Sequence, residues 1–255
     1  MKISDMDQGN KFYVAGHRGW MARYPQNTLL SFKKAIELGV DMLEFDIRLS
    51  RDGVMMIMHD LLLENTTNGQ GPLSDYTCAE LKQLDAGGKF AKEFEGLKIP
   101  TFEELCDLVR PYPDLLLNIE IKTAPDDIEA ADQAYAMVSR YGYLDRCVFN
   151  SFDARVVEHC HDRYQVRTHG FPAEYMQNFN LAPDGTYAKM WCIGLSMKWA
   201  TPERVQEFLD RGIHPWCWSP DTEESALYAL KTGLQLATCN DPAVMLRVAA
   251  QQGRR

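Results

Sequence analysis

The chain has 255 residues, of which 45% are hydrophobic and 25% are charged, and its formal net charge is −9. This size and balance fit a folded water-soluble protein with one large α/β domain or two small ones. The excess of acidic groups argues against nucleic acid and anionic membranes as partners, because both would repel it. Any phosphate-binding site in this chain must therefore supply its own local positive charge.

No apolar run approaches the roughly 20 residues that a membrane-spanning helix needs, so we expect no membrane insertion. The polar segment 1–8 lacks the apolar core of a signal peptide, which predicts a cytoplasmic protein. The seven cysteines are scattered without a CxxC pair, which favours reduced, buried thiols over a disulfide framework or a zinc site. The sequence is compatible with a homo-oligomer but specifies no oligomeric state.

Short apolar runs alternate with amphipathic segments along the chain. Nine of the apolar runs have the length and composition of β-strands: 12–17, 42–48, 54–59, 115–121, 147–151, 165–170, 190–197, 213–218 and 234–239. Segments with helical spacing lie between most of them: 28–38, 101–110, 126–141, 153–163, 202–211 and 222–232. This alternation is typical of a parallel α/β fold.

The second and third strands are too close in sequence for a helix between them. The linker 50–53 contains Asp52-Gly53, a strong signal for a β-hairpin. We therefore predict an antiparallel return strand at 54–59 that brings His59 back toward the strand ends. The remaining eight strands match the count of a (β/α)8 TIM barrel. A doubly wound open sheet is the alternative, but no glycine-rich phosphate fingerprint follows the first strand.

The stretch 61–100 is rich in glycine, asparagine, threonine and charged residues, and it is too long for an ordinary connection. We predict that it is a small insertion over the carboxyl ends of the strands. The whole chain, 1–255, is then expected to be a single barrel domain that includes this insertion. We expect the last residues, 251–255, to be frayed.

Acidic residues mark two of the predicted strands. Side chains alternate along a strand, so Glu44, Asp46 and Arg48 share one face, and Glu120 follows the same pattern further along the chain. Barrel active sites lie at the carboxyl ends of the strands, where facing carboxylates repel one another unless a cation neutralises them. Such oxygen ligands suit one hard divalent cation, Mg²⁺ or Ca²⁺. The alternative is a set of salt bridges to Arg48 or Lys122.

Two histidines, His17 and His59, flank these acids at strand ends. Imidazole titrates near neutral pH, so such a pair is suited to general acid and base catalysis. Zinc ligation by the pair is the competing interpretation. Arg18 and Lys122 add positive charge at the same rim and can bind phosphate oxygens. A cation, two basic side chains and two histidines around one cavity indicate phosphoryl chemistry.

Several motifs follow one another with little gapping between residues 13 and 122: Gly16-His17-Arg18-Gly19, Pro25-Gln26-Asn27-Thr28, Glu44-x-Asp46, His59-Asp60 and Asn118-x-Glu120-x-Lys122. In this order and spacing they resemble the glycerophosphodiester phosphodiesterases. Weaker similarity continues through Ser151-Phe152, Trp218-Ser219 and Asp241-Pro242. The resemblance is therefore expected to cover the whole chain.

This resemblance implies a phospholipase C-like TIM barrel that hydrolyses a small-molecule glycerophosphodiester to sn-glycerol 3-phosphate and an alcohol. It implies that His17 and His59 are the acid–base pair. The cation ligands would then be Glu44, Asp46 and Glu120, and the phosphate contacts would be Arg18 and Lys122. In the mechanism usually drawn for such enzymes, the glycerol 2-hydroxyl attacks phosphorus and gives a cyclic phosphate, which water then opens. An intramolecular nucleophile has an entropic advantage over a bound water.

The chain departs from the family pattern at three places: Gln26 where the family usually has Glu, Pro220-Asp221 after the eighth strand, and Cys239-Asn240 before the last proline. The two later changes are expected to reshape the substrate pocket rather than the reaction. Phe152 and Trp218, at strand ends, are predicted to line that pocket. His169 also ends a strand and could reach the cavity, although we expect it to have a structural role.

Two other functions are consistent with the sequence. A lysophospholipase D-type enzyme would use the same site on lipid substrates and would need an apolar track in the 61–100 segment. That segment offers Leu61, Phe90 and Phe94 but also many charges, which favours soluble substrates. A non-catalytic barrel that binds a phosphate ligand would be signalled by the loss of a histidine or a ligand acid, and all five are present.

Overall fold

Strands and helices alternate along the residues that the structure, a computed structural model, describes: 2–7 and 10–255. The strands in this part of the chain are β1 Tyr13–His17, β2 Met42–Leu49, β3 Met55–Ile57, β4 Leu116–Ile121, β5 Cys147–Asn150, β6 Thr168–Gly170, β7 Cys192–Ser196, β8 His214–Trp218 and β9 Leu236–Cys239. The α-helices are α1 Leu29–Leu38, α2 Cys78–Leu81, α3 Phe102–Leu108, α4 Asp127–Arg140, α5 Ala154–Tyr164, α6 Pro202–Asp210, α7 Glu223–Lys231 and α8 Pro242–Gln251.

Eight of these strands close into a parallel barrel. Their order around the ring is β1, β2, β4, β5, β6, β7, β8 and β9, and β9 pairs with β1 to complete the circle. The antiparallel strand β3 pairs with the carboxyl-terminal end of β2, where Ile47 lies opposite Ile57. The predicted (β/α)8 barrel and its hairpin are therefore confirmed, and the open-sheet alternative is wrong.

The alternation of side chains in β2 decides what faces the barrel mouth. Leu43, Phe45 and Ile47 are fully buried against the surrounding helices, in one apolar core with side chains of α1, α3 and α4. Removing that much apolar surface from water contributes about 2 kcal/mol per side chain, which fixes the register of the strand. Glu44 and Asp46 must then point to the inside of the barrel.

An apolar layer fills the barrel below these acids. Its buried side chains come from seven of the eight barrel strands and include Tyr13, Ala15, Met42, Leu116, Val148, Cys192, Trp216 and Leu236. Stacked layers of this kind make a TIM barrel a packed core rather than a pore. A cavity at the carboxyl ends of the strands is therefore closed from below.

The loop before α1 is fixed where it enters the helix. Thr28 caps the helix by accepting a hydrogen bond from the Ser31 N–H, and Gly39 ends it with a φ of 94°. Asn27, the residue before the cap, has a φ of 56°, a left-handed conformation that asparagine tolerates better than most residues. This turn directs the side chain of Asn27 over the strand ends.

The segment 61–100 has a small core of its own. Leu63, Leu73 and Leu81 pack with Met56 and Met58 of the hairpin, and all five are buried. Apart from the short helix α2 and three single 3-10 turns, this segment consists of loops. An edge-to-face contact of 5.9 Å between the rings of Tyr24 and Phe94 attaches the segment to the loop before α1. The insertion therefore stands beside the barrel mouth.

The C-terminal region differs from the sequence-based expectation. Helix α8 was not among the predicted helices, although Pro242 in its first turn is typical of a helix start. The prediction of frayed residues at 251–255 is wrong. The Phe12 N–H donates to the Arg254 carbonyl at 2.7 Å, and the Arg255 guanidinium contacts the buried carboxylate of Asp41. In the described part of the chain, no helix has the length and apolar character to cross a bilayer.

Candidate active site

Three buried carboxylates converge at the carboxyl ends of β2 and β4. Asp46 lies opposite Glu120 in the sheet register, and oxygens of Glu44, Asp46 and Glu120 all lie within 4.8 Å of one another. Within the described residues, Glu44 Oε1 accepts no hydrogen bond, and Asp46 Oδ1 faces the Lys122 ammonium at 3.4 Å without a hydrogen bond. Buried polar atoms without a partner are costly, and these are hard oxygen donors. The trio therefore fits one divalent cation.

The ionisation of the trio supports the same fit. Burial and the charges of Asp46 and Glu120 raise the pKa of Glu44 well above its usual range. Burial also raises the pKa of Glu120, although Lys122 partly offsets it. For Asp46, burial is outweighed by Lys122 and Arg18, which hold its pKa below the usual value. Three like charges so close oppose one another, and a divalent cation would let all three ionise.

Arg18 and Lys122 carry positive charge to the trio. Lys122 Nζ contacts the Glu120 carboxylate and lies 3.4 Å from Asp46 Oδ1. The backbone N–H of Arg18 donates to Glu44 Oε2 at 3.0 Å, and its guanidinium lies 3.4 Å from Asp46 Oδ2. The salt bridge to Lys122 that was the alternative to a cation thus exists. It involves Asp46 Oδ1 and Glu120, and it leaves Glu44 Oε1 without a hydrogen bond in the described part of the chain.

Arg48 has a different role from the acids on its strand. Its Nε and Nη2 donate to the backbone carbonyl of His59 at 3.0 Å and 2.8 Å. This fork holds the end of the hairpin, so that His59 returns to the strand ends as predicted. The His59 imidazole Nδ1 lies 2.9 Å from Asp60 Oδ1, and burial lowers the pKa of His59. A carboxylate acceptor at Nδ1 stabilises the protonated ring, as a general acid requires.

His17, at the end of β1, has a neutral partner instead. Its Nδ1 lies 2.6 Å from Asn240 Oδ1, while the amide nitrogen of Asn240 donates to Asp221 Oδ2 at 2.6 Å. Because that carboxylate fixes the orientation of the amide, only the amide oxygen faces His17, and Nδ1 must carry the proton. Burial, with the charge of Arg18, lowers the pKa of His17 to about 4. Its Nε2, 3.8 Å from Glu44 Oε2, is therefore free to act as a base.

One cavity of about 200 Å³ connects these groups. It has a charged half, formed by β1, β2, β4 and the hairpin and lined by His17, Arg18, Glu44, His59 and Glu120. It also has a neutral half, lined mainly from β4, β5, β6 and β8 by Asn118, Asn150, Phe152, His169, Phe171 and Trp218. The structure thus brings seven of the predicted site residues to one cavity, while Asp46 and Lys122 lie directly behind its charged half.

The two predicted pocket aromatics lie in the neutral half. The ring of Phe152 stacks on that of Phe171 with centroids 3.6 Å apart, and Lys122 Nζ is 5.9 Å from the Phe152 centroid. Trp218 is 36% exposed at the rim. They give the cavity a partly apolar wall beside its charged groups.

Sequence reasoning assigned no role to several side chains that hold the site. Asn27 donates to Asp46 Oδ2 at 2.8 Å, and Gln26 accepts from Arg18 at 2.5 Å. Asn240 and Asp221 were noticed only as departures from a family pattern. Nothing local in the sequence shows that residue 240 meets residue 17, since the contact depends on closure of the barrel between β9 and β1.

Comparison with known proteins agrees with this geometry. The model of the glycerophosphoryl diester phosphodiesterase family matches residues 17–244. A glycerophosphodiester phosphodiesterase of Caldanaerobacter subterraneus is 30% identical over 95% of this chain and 100% of its own length. A crystal structure from Silicibacter pomeroyi, described as a glycerophosphoryl diester phosphodiesterase, has a TM-score of 0.85 at 25% identity, over 96% of this chain and 95% of that one.

A phosphodiesterase of Oleispira antarctica, solved in complex with the product sn-glycerol-3-phosphate, has the same fold. Its TM-score is 0.85 at 24% identity, over 93% of this chain and 96% of that one. The family match spans most of the chain and the Caldanaerobacter relative nearly all of it. The chain therefore belongs to the glycerophosphoryl diester phosphodiesterase family and is an enzyme of that class.

Proposed function

We propose that this enzyme hydrolyses small, soluble glycerophosphodiesters to sn-glycerol 3-phosphate and an alcohol with the help of one divalent cation, Mg²⁺ or Ca²⁺. The observation that carries the proposal is the buried trio of Glu44, Asp46 and Glu120, in which Glu44 Oε1 has no hydrogen bond within the described chain, beside two histidines in one cavity. The activity of the Caldanaerobacter relative supports the same substrate class. Bound at the trio, the cation would polarise the phosphate and withdraw negative charge from it.

The basic side chains prepare the phosphate position. Arg18 and Lys122 sit on opposite sides of Asp46 and are both largely buried, so their charges act in a medium of low dielectric. They would hold the non-bridging oxygens of the phosphate and neutralise the charge that develops on them. This local positive field offsets the repulsion of an anionic substrate by the protein's net negative charge.

The two histidines would divide the proton transfers. His17 Nε2 accepts the proton of the glycerol 2-hydroxyl as that oxygen attacks phosphorus, and Asn240 keeps its Nδ1 protonated. The bond from phosphorus to the leaving alcohol breaks, and His59 donates a proton to the departing oxygen. Water then opens the cyclic phosphate with the roles reversed: His59 takes the proton of the water, and His17 returns its proton to the 2-hydroxyl.

Barrel and insertion would work as one domain, 1–255, because His59 links them at the cavity. A cytoplasmic location is the second part of this proposal. Its support is that all seven cysteines are free thiols and six of them are buried, as expected in a reducing compartment. One observation favours the lysophospholipase D alternative: Leu61, Leu62 and Phe90 are exposed on the insertion.

The proposal is tested by measuring release of the free alcohol from a panel of glycerophosphodiesters and from lysophosphatidylcholine, with Mg²⁺ or Ca²⁺ present. The second product is sn-glycerol 3-phosphate from the soluble diesters and lysophosphatidic acid from the lysophospholipid. We expect release from the soluble diesters, with a ranking that depends on the alcohol. A His161→Ala variant, changed on the surface of α5, should match the wild type. Release from the lysophospholipid alone would replace the proposal with the lipid activity, and no release from any substrate would contradict both.

A further inference from the structure

The neutral half of the cavity contains polar atoms that the mechanism does not use. Asn118, Asn150 and His169 come from three adjacent strands and are 1%, 2% and 4% exposed. The Asn118 amide nitrogen lies 3.2 Å from His169 Nδ1. In the described chain, His169 Nε2 and Asn150 Oδ1 have no hydrogen-bond partner. Buried polar atoms are rarely left unpaired, so two of them on one cavity wall indicate a polar ligand.

The position of His169 is fixed by its neighbours. Its ring packs edge-on against Trp216 with centroids 5.1 Å apart, and Trp216 belongs to the apolar layer below the cavity. The space for the ring depends on Gly194 in β7, because a Cβ there would lie 2.8 Å from His169 Nε2 and from the Phe171 ring. The expected structural role of His169 does not account for the free Nε2.

This wall offers hydrogen bonds without charge. Burial lowers the pKa of His169 to about 3, so its imidazole is neutral under ordinary conditions. Asparagine side chains carry no charge at any pH. A phosphate group is better held in the charged half, where Arg18 and Lys122 lie. A neutral donor–acceptor pair suits a hydroxyl group, which both donates and accepts.

We propose that Asn150 and His169 form a subsite for the terminal hydroxyl of the glycerol moiety, and that this subsite selects substrates with an unacylated glycerol end. The inference rests on the proposed function, in which the 2-hydroxyl is committed to attack at phosphorus. The terminal hydroxyl then remains free to bind the wall. An acyl ester at that oxygen would lose the donor and would press against Phe171, which lines the same wall.

The test compares two phosphate monoesters that differ only in this hydroxyl: sn-glycerol 3-phosphate and the matching propane-1,2-diol phosphate. Their dissociation constants are measured by calorimetry with Mg²⁺ present, for the wild type, His169→Leu and Asn150→Ala. The His161→Leu variant is the control for loss of a histidine outside the cavity. Asn150→Ala removes few atoms, so it answers the question even where His169→Leu fails to fold.

We expect the wild type and the control to bind sn-glycerol 3-phosphate roughly 10- to 100-fold more tightly than the deoxy compound, because the wall would otherwise stay unpaired. Both cavity variants should lose most of this preference through weaker binding of the hydroxylated compound. Equal binding of the two compounds by the wild type, or an undiminished preference in a folded cavity variant, overturns the subsite.

The binding readout separates this inference from the reaction. A wild type that prefers the hydroxylated compound but releases no sn-glycerol 3-phosphate from any diester supports the subsite and rejects the proposed function. If the wild type hydrolyses diesters but binds the two monoesters equally, the proposed function is supported and the subsite is rejected. Faster turnover of lysophosphatidylcholine than of glycerophosphocholine by the wild type would also reject the proposed selection.

Discussion

The charged and neutral halves of the cavity are buried to a similar degree but suit different ligands. In the charged half, Glu44 keeps an oxygen without a hydrogen bond, burial and neighbouring acids raise its pKa, and Lys122 and Arg18 hold the pKa of Asp46 below its usual value. In the neutral half, Asn150 and His169 also keep unpaired atoms, but no charge accompanies them. Unpaired buried atoms thus mark both halves as binding surfaces. The charge of the surrounding groups distinguishes a cation and phosphate site from a hydroxyl site.

The largest effect should come from removing either histidine of the charged half. We expect His17→Ala and His59→Ala each to lower kcat by at least about 100-fold, the usual contribution of a general acid or base. Release of sn-glycerol 3-phosphate at saturating substrate measures this loss, and circular dichroism checks the fold. The surface variant His161→Ala should keep full activity. More than a tenth of the wild-type kcat in either cavity variant would remove that residue from the acid–base pair.

A smaller effect is expected from the partner of His17. Asn240→Ala removes the acceptor that fixes the tautomer, and one hydrogen bond is worth about 1 kcal/mol, so kcat should fall roughly fivefold to tenfold. KM should change little, since Asn240 does not line the cavity.

The nitrogen-15 shifts of His17 give a second readout for this variant. They should show an Nδ1-protonated ring in the wild type and a mixture of tautomers in Asn240→Ala. An unchanged tautomer together with an unchanged kcat would show that Asn240 does not position His17 for catalysis.

The smallest effect should come from the apolar wall. Phe152→Leu removes the stacked contact with Phe171, and such aromatic pairs contribute about 0.5–1.5 kcal/mol. We expect KM to rise about threefold with kcat nearly unchanged. Trp199→Leu, changed at an exposed tryptophan that does not line the cavity, is the matched control. A large fall in kcat for Phe152→Leu would mean that this half takes part in the chemistry.

The charged half was more visible in the sequence than the neutral half. Period-two alternation in β2 and the Asp52-Gly53 turn were enough to predict which acids face inward and that His59 returns to them. These are local rules, and a closed barrel brings strand ends together in a known way. The fold and the charged residues of the site were therefore predictable from the sequence.

The contacts across the barrel were not predictable from the sequence. Asn240 meets His17 only because β9 closes onto β1, and the space around His169 depends on Gly194 two residues into the next strand. Asn150 and His169 belong to no motif, and their significance becomes visible only when their burial and missing partners are known. The contacts of Arg254 and Arg255 were missed for the same reason, since tertiary packing decides them.

The most direct test of the charged half measures its dependence on a divalent cation. After EDTA treatment, the wild type should release no sn-glycerol 3-phosphate, and added Mg²⁺ or Ca²⁺ should restore release. Glu120→Gln should bind the restoring cation at least about tenfold more weakly in a calorimetric titration, since even the loss of a group that only orients a metal ligand costs that much. The control Glu104→Gln, which alters a carboxylate paired with Lys82 away from the cavity, should behave as the wild type. Full turnover in EDTA, or unchanged cation affinity in Glu120→Gln, would contradict the assignment of this trio as a cation site.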